Sequence, residues 1–414
     1  MYAEVIAIGD ELTSGQRLDT NSQWISRRLA DLGVRVLYHT TAADELEADT
    51  EAFRRALDRV DLVVSTGGLG PTADDLTREA IARAAGSDLV RNDEALAHIR
   101  RLFARWNREM PERNVVQAMF PRGSSMIPNP NGTAPGIDLL WHRPDRRPVR
   151  LFALPGVPAE MRDMWEASVE PAIARWLGPE RRFIRHRLIQ CFGAGESDIE
   201  RMLPDLVRRG RVPTVGITAS LAGITLRITA EGPSPEACEA LIEPTAATIR
   251  QSLGELVFGE GEDQLQDVVV QMLKERRHSL ATVECDSCGL AAEWLGEADP
   301  SGATYRGGIV ARQPAIAAQA LGLAAEPGQA TDSKSMVETM AIECRRRFNA
   351  DYALAVGPFP RLDADQPRAH HVHLVLAGPE GATVTSVRWA GHPAIRKART
   401  VKHGLNTLRL MLLG

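Results

Sequence analysis

The first 86 residues alternate between short apolar runs and stretches with helical spacing. The runs AEVIAIG, VRVLYHT and DLVVST have the length of strands, and TNSQWISRRLADLG places Ile25, Leu29 and Leu32 on one helical face before Gly33, a C-terminal cap. Strands separated by single helices are typical of a parallel, doubly wound sheet. A further helix pattern, the apolar run VRLFALPG and the pattern AEMRDMWEASVEPAIARWLG extend this α/β domain to residue 178.

The pattern changes in residues 179–258. RRFIRHRLIQCFG alternates apolar and polar positions, and TVGITASLAGITLRITAEG predicts a hairpin around Ala222 and Gly223. Two helical stretches flank the hairpin, so we expect a small α+β domain with an antiparallel sheet. Residues 259–414 mix helices and strands again and predict a third domain of α/β type.

Composition narrows the classes of partner. A chain of 414 residues is longer than one hydrophobic core usually accommodates, so we expect more than one domain. The net charge is −5, and acidic and basic residues are interspersed along the chain without forming a basic stripe. We therefore expect a small-molecule ligand and neither nucleic acid nor membrane as partner. The N-terminus lacks a basic leader and no apolar run approaches the roughly 20 residues of a membrane span, which favours a cytoplasmic protein. Five cysteines do not form a disulfide framework.

Three loops with small or acidic residues each follow a predicted strand: residues 9–21, 66–77 and 154–161. Ligands bind at the carboxyl ends of the strands in such sheets, so we expect the loops to form one site. In TGGLGPTADDLT the glycines allow backbone amides to approach a phosphate, and the helix predicted from Ala73 adds its positive end. Asp74 and Asp75 could hold a divalent cation. Alternatively, the glycines form only a tight turn, the two acids only stabilise the helix start, and Asp10 only caps its loop.

Five stretches carry a specific resemblance: GDELTSGQRLDTN, TGGLGPTADDLT, RNVVQAMFPRGSSMIPNPNGTAPG, ALPGVPAEM and FGAGESDIE. In order and spacing they resemble the CinA family of competence/damage-inducible proteins. The resemblance implies a molybdopterin-binding fold in the first domain, a KH-like middle domain and a last domain related to nicotinamide mononucleotide deamidases. It also implies metal-dependent hydrolysis of ADP-ribose to AMP and ribose 5-phosphate, with Co²⁺, Mn²⁺ or Mg²⁺, and a homodimer.

The residues expected to perform this hydrolysis fall into two groups. We assign Asp10, Asp74 and Asp75 to the metal and to catalysis, and Gly67, Gly68, Gly70 and Thr72 to the phosphates. The matching motifs add a second rank of candidates for nucleotide binding: Asp19, Asn21, Asn129, Thr133 and Glu160. A protein of this fold that binds a nucleotide or a pterin without turnover is the alternative.

The last domain departs from the deamidase pattern. The family stretch close to A-E-S-C-T-G-G reads VECDSCGL here, so that Cys285 occupies the position of the serine nucleophile and Cys288 that of a glycine, with Ser287 between them. The expected Y-S-N-x-x-K is replaced by ARQPAIAAQALGL, and a glycine loop by GPFPRLDADQP. A nucleophile without its base is weak, so we expect a degenerate, inactive deamidase. Residual deamidation through Cys285 is the alternative.

The Cys-x-x-Cys spacing has two other interpretations. A structural zinc ion needs about four ligands; His371 and His373 of HHVH could supply two. A redox pair would need a thioredoxin-like context, which the neighbouring pattern lacks. Two small residues packed at the start of a helix is the simplest interpretation.

Overall fold

The structure, a computed structural model, describes residues 1–143, 146–178, 182–208, 210–220, 223–323, 334–360 and 371–414. The chain forms two compact units. One comprises Met1–Arg185 with Ala230–Ala240, and the other His186–Thr229 with Leu241–Gly414. The three domain boundaries inferred from the sequence (1–178, 179–258 and 259–414) stay predictions.

The N-terminal sheet has six strands in the order β2-β1-β3-β8-β7-β6. The strands of this region are β1 (Tyr2–Ile8), β2 (Arg35–Ala42), β3 (Leu62–Thr66), β4 (Leu89–Arg91), β5 (Met119–Pro121), β6 (Ser125–Ile127), β7 (Gly136–Trp141) and β8 (Val149–Leu154). The first four strands of the order are parallel, as the sequence predicted. The antiparallel extension by β7 and β6 was not predicted, because it comes from a segment rich in Pro, Gly and Asn. β4 and β5 form a separate antiparallel pair.

Helices cover both faces of this sheet. They are α1 (Asp10–Thr13), α2 (Thr20–Asp31), α3 (Leu46–Arg59), α4 (Thr77–Ala84), α5 (Asp93–Arg105), α6 (Pro158–Met164) and α7 (Glu170–Leu177). Side chains alternate across a strand, so Ile6 of β1 packs in one core with Phe53 of α3, and Val5 packs in the other core with Ile25 of α2. The doubly wound α/β architecture is confirmed.

The start of α4 corrects one expectation. The sequence predicted a helix from Ala73 with Asp74 and Asp75 in its first turn, but the helix begins at Thr77. Both acids lie in the turn that precedes it. The turn forms because Asp75 accepts hydrogen bonds from backbone amides upstream, which competes with helix formation.

The middle region is a four-stranded sheet in the order β10-β11-β9-β12. Its elements are β9 (Phe183–Cys191), α8 (Glu196–Met202), β10 (Thr214–Ser220), β11 (Gly223–Gly232), α9 (Pro235–Leu253) and β12 (Val257–Glu260). The predicted hairpin is present, with Ser220 opposite Gly223, although its turn residue Ala222 lies outside the described residues.

The C-terminal sheet has the order β14-β13-β15-β16-β17, parallel in its first three strands and antiparallel in the rest. Its elements are α10 (Leu265–Arg276), β13 (Leu280–Cys285), α11 (Leu290–Ala298), β14 (Tyr305–Ala311), α12 (Pro314–Ala320), α13 (Lys334–Arg347), β15 (Tyr352–Val356), β16 (His371–Gly378), β17 (Gly381–Arg388) and α14 (Pro393–Leu413). Within the described ranges, no helix combines the length and the hydropathy needed to cross a membrane.

Candidate functional site

The glycine loop after β3 is held from behind by the start of α4. The hydroxyl of Thr77 donates to the carbonyl of Gly67 and its amide to that of Gly68. The guanidinium of Arg78 donates to the carbonyls of Leu69 and Gly70. Arg78 is 3 % exposed, and burial lowers its pKa to about 10, so the side chain stays charged at neutral pH. Four consecutive carbonyls of the loop therefore point towards α4.

Two backbone amides of the same loop point in the opposite direction, away from α4. A trans peptide is planar, with its N–H opposite its carbonyl, so the amides of Gly68 and Leu69 point away from α4. Both residues line the cleft at the strand ends. Among the residues that the structure describes, neither amide donates to a protein acceptor. The loop thus presents two N–H groups to a ligand.

The other amides assigned to phosphate already have partners. The amide of Gly67 donates to the carbonyl of Leu154, while those of Gly70 and Thr72 donate to the carboxylate of Asp75. The hydroxyl of Thr72 also donates to Asp75. Both Asp75 oxygens therefore stabilise their own loop. A Cβ on Gly70 would lie 2.4 Å from Asp75 Oδ2, which explains the glycine at this position.

Acidic side chains from three strand ends converge on the same cleft. Asp44 follows β2, Glu11 follows β1, and Asp74 follows β3; all three line the cleft. Burial raises the pKa of Asp44, and the nearby charges of Asp10, Asp74 and Glu11 raise it further. Asp10 does not line the cleft; its amide and carboxylate bond to Asp44. Asp44, which the sequence did not single out, is the acid at the centre of the group.

These acids do not form a finished metal cage. In the described part of the chain, no three His, Cys, Asp or Glu side chains are close enough to hold a metal ion together. The donors are all carboxylate oxygens, which suit Mg²⁺ or Mn²⁺. Mg²⁺ is commonly held by one or two carboxylates together with substrate phosphates. The donor chemistry of Asp44 and Asp74 therefore fits a cation that arrives with a phosphate.

The Asn-Gly segment and the loop after β8 close the far side of the cleft. Asn129 is fully buried and donates to the carbonyl of Ala134 and to Glu160 Oε2, while its own oxygen accepts from the amide of Gly132. Its side chain therefore organises the loop. Thr133 and Glu160 line the cleft directly.

A second cleft adjoins the first and contains the candidates of the 9–21 motif. Asp19 caps α2 by accepting from the amide of Ser22, and Asn21 donates to the Thr66 hydroxyl and to the carbonyl of Gly156. Asp19 and Asn21 both line this cleft. The Asn21 amide thus ties the ends of β3 and β8 together, and its Oδ1 is a buried atom without a protein partner among the described residues.

The two clefts measure about 650 and 540 Å³, within the usual range of small-molecule sites. Glu11 and Arg17 line both. Arg17 is the one cationic side chain among the described lining residues, and no acid within the described residues pairs with it. The sequence carried Arg17 and Asp44 in the loops after β1 and β2 but gave no signal that distinguished them from ordinary surface charges.

The turn after β13 does not provide an activated nucleophile. Cys285 is fully buried at the end of β13, and its pKa is raised to about 11 by burial and then by Asp286 and Glu284. Glu284 is also buried and accepts from the Ser287 hydroxyl and from the amides of Ala291 and Ala292 at the start of α11. The retained acid therefore caps a helix. Low thiolate content makes Cys285 a poor nucleophile at neutral pH.

The charged groups at this turn already have partners. Lys397 Nζ donates to the carbonyl of Asp286, whose carboxylate pairs with Arg312 at 3.2 Å. Cys288 is exposed. His373 Nδ1 lies 3.0 Å from the Ser386 hydroxyl, and in the parts of the chain with a described structure no metal-ligating group includes it. His370 and residues 361–367 of the altered glycine loop lie outside the described residues.

The strand-end clefts and the α/β sheet define a protein with a molybdopterin-binding type of N-terminal domain. Models of three families match the chain: the probable molybdopterin binding domain over residues 4–175, the damage-inducible protein CinA KH domain over 186–259, and the CinA C-terminal domain over 262–412. The chain belongs to the CinA family.

Relatives match over nearly the full length. A CinA-like protein of Frankia casuarinae is 39% identical over 100% of this chain and 97% of its own. A putative competence-damage inducible protein of Bacillus velezensis is 32% identical over 99% of this chain and 98% of its own. Among solved structures, a CinA protein from Thermoplasma acidophilum is 35% identical, covering 41% of this chain and 96% of that one, with a TM-score of 0.37.

Proposed function

We propose that the N-terminal domain hydrolyses the pyrophosphate bond of a nucleotide such as ADP-ribose, with a divalent cation as cofactor. The observation that carries the proposal is the pair of amides at Gly68 and Leu69, presented to a cleft that also contains Asp44 and Asp74. A site that only binds anions has no use for carboxylates beside the phosphate unless a cation accompanies it. ADP-ribose is the substrate that the family resemblance implies.

The proposal assigns roles to the two free amides and to the acids around Asp44. The amides of Gly68 and Leu69 donate to a phosphate oxygen, where they stabilise charge that develops during the reaction. Asp44 and Asp74 hold the cation, and Asp10 positions Asp44 through the two hydrogen bonds between them. When bound, a Mg²⁺ or Mn²⁺ ion supplies positive charge to the phosphate oxygens.

The reaction itself adds water across the pyrophosphate. The water oxygen attacks one phosphorus, the bond from that phosphorus to the bridging oxygen breaks, and the bridging oxygen leaves with the second phosphate. ADP-ribose and water thereby give AMP and ribose 5-phosphate. We assign orientation of the water to Glu11 and binding of the leaving phosphate to Arg17, because both line the two adjoining clefts.

Incubation of the purified protein with ADP-ribose and Mg²⁺, Mn²⁺ or Co²⁺ tests the proposal. Chromatography should show AMP and ribose 5-phosphate in equal amounts, and chelation of the cation should stop their formation. Asp74→Asn should abolish most of the turnover, whereas Asp88→Asn, an exposed acid paired with Arg122 outside the cleft, should retain it. Absence of AMP with every cation would refute the proposal, and calorimetric binding of ADP-ribose without turnover would favour a binding protein.

The C-terminal domain is proposed to be inactive as a deamidase. The buried thiol of Cys285 and its raised pKa argue against an attack on an amide carbon. Nicotinamide mononucleotide incubated with the protein should release no ammonia. Ammonia release that disappears in Cys285→Ala would overturn this assignment.

A further inference from the structure

The stretch FGAGESDIE has no role in the N-terminal clefts. Its first residues, Phe192 to Glu196, line a separate cleft of about 220 Å³ within the second compact unit. The facing wall is one side of α14, which contributes Ile395, Arg399 and His403 at intervals of four residues. The volume lies below the usual range for drug-sized ligands, so any occupant is small.

Two basic side chains meet on the helical wall of this cleft. Arg399 and His403 are one turn apart, and the His403 ring packs edge-to-face on Phe192 with centroids 4.8 Å apart. Burial lowers the pKa of His403, and the charge of Arg399 lowers it further. Neither side chain forms an ion pair with an acid in the described part of the chain. An anion bound between the two side chains would offset the repulsion by Arg399 and favour the protonated His403 ring.

The opposite wall offers hydrogen-bond donors. Gly193 has φ +103°, a conformation that favours glycine, and this turns the loop between β9 and α8 sharply. The amides of Gly193, Ala194 and Gly195 have no acceptor among the described residues. An oxyanion in the cleft would face these amides on one side and a guanidinium on the other. Arginine and backbone amides together favour an acceptor with several oxygens, such as a phosphate group.

We propose that this cleft binds a small phosphate monoester, about the size of a sugar phosphate, between the Gly193–Gly195 loop and the Arg399 and His403 side chains. The site is distinct from the N-terminal clefts and does not depend on the function proposed for them. Glu196 is the carboxylate among the described lining residues, and its repulsion sets the preference for a ligand whose phosphate lies towards α14.

Calorimetric titration of the full-length protein tests the site, with ribose 5-phosphate, inorganic phosphate and neutral ribose as probes. The titrations are run in Arg17→Gln, so that binding in the N-terminal clefts is weakened. Ribose 5-phosphate should bind and ribose should not. Arg399→Gln and His403→Gln should each lower the affinity about tenfold or more, as expected for the loss of a charge-assisted hydrogen bond. Arg396→Gln is the matched control, because Arg396 lies over the Trp389 ring and does not line the cleft.

Three results of these titrations would contradict the proposal. Glu196→Gln should bind ribose 5-phosphate as tightly as its Arg17→Gln parent or more tightly; if it loses binding, the cleft takes a cation and the proposal is wrong. Unchanged affinity in both Arg399→Gln and His403→Gln would also overturn it, as would the absence of any phosphate binding in Arg17→Gln. His403→Gln keeps the test valid if Arg399→Gln proves unstable in a thermal melt.

Discussion

Asp10 and Asp44 each accept a hydrogen bond from the other's backbone amide, at 2.9 Å to Asp44 Oδ2 and 3.1 Å to Asp10 Oδ1. The pair joins the loop after β1 to the loop after β2, two parallel neighbours in the sheet. As a result, Asp44 is fixed at the cleft among other negative charges, although its ionised form is disfavoured there. A site that binds a cation gains most from a carboxylate held in this way.

The first prediction separates the two members of this pair. Asp44→Asn should lower kcat for ADP-ribose about a hundredfold, because it removes a charged ligand of the cation that neutralises the reacting phosphates. Asp10→Ala should cost about tenfold through misplacement of Asp44, and Asp10→Asn should recover most of that loss, since its amide oxygen can still accept the bond. Steady-state AMP formation measures all three. Equal losses in Asp10→Asn and Asp44→Asn would mean that Asp10 acts through its charge.

The second prediction distinguishes Asp74 from Asp75. Asp75→Ala removes the acceptor of the Gly70 and Thr72 amides and should destabilise the protein by about 1 to 3 kcal/mol. Asp74→Ala should leave stability nearly unchanged, because the side chain is exposed, and should remove activity. Thermal melts and AMP assays on the two variants give the comparison. Full stability in Asp75→Ala would contradict the loop role.

The third prediction concerns pH. Asp49 on α3 is fully buried, both its oxygens lack partners among the described residues, and burial followed by the Asp44 charge raises its pKa to about 7. Below pH about 4 the carboxyl is protonated in both folded and unfolded chains. Above that, only the unfolded chain ionises, so stability falls as pH rises to about 7, by roughly 4 kcal/mol in total.

Asp49→Asn should therefore raise the melting temperature at pH 8 and leave it nearly unchanged at pH 4. Asp58→Asn, at an exposed position of the same helix, is the control and should show no such difference. A melting temperature at pH 8 that is lower in Asp49→Asn than in the wild type would instead mean that Asp49 is ionised and paired.

The fourth prediction concerns the thiols. Cys288 is exposed, whereas the other four cysteines are buried. A disulfide reagent should modify one thiol rapidly in the native protein, and that fast phase should vanish in Cys288→Ala. Cys285→Ala should leave it intact. A second fast thiol that is lost in Cys285→Ala would show that the β13 turn opens readily.

The sequence predicted the N-terminal sheet well where strands and helices alternate. The sequence predicted β1, β2 and β3 correctly because short apolar runs between helices usually form strands. It missed β7 because the flanking Pro and Gly residues are typical of loops. In the site, the glycine loop was recognisable by its composition. The different roles of Asp75 and Asp44 could not be predicted from the sequence. They depend on which backbone amides face each carboxylate after folding, and contacts with α4 and β2 determine this.

Glu284 caps α11, and it directly precedes the buried thiol of Cys285. The fold alone needs this acid, because a helix start without its cap is less stable. A glutamate at this position of a CinA C-terminal domain is therefore no evidence by itself that the domain is an enzyme.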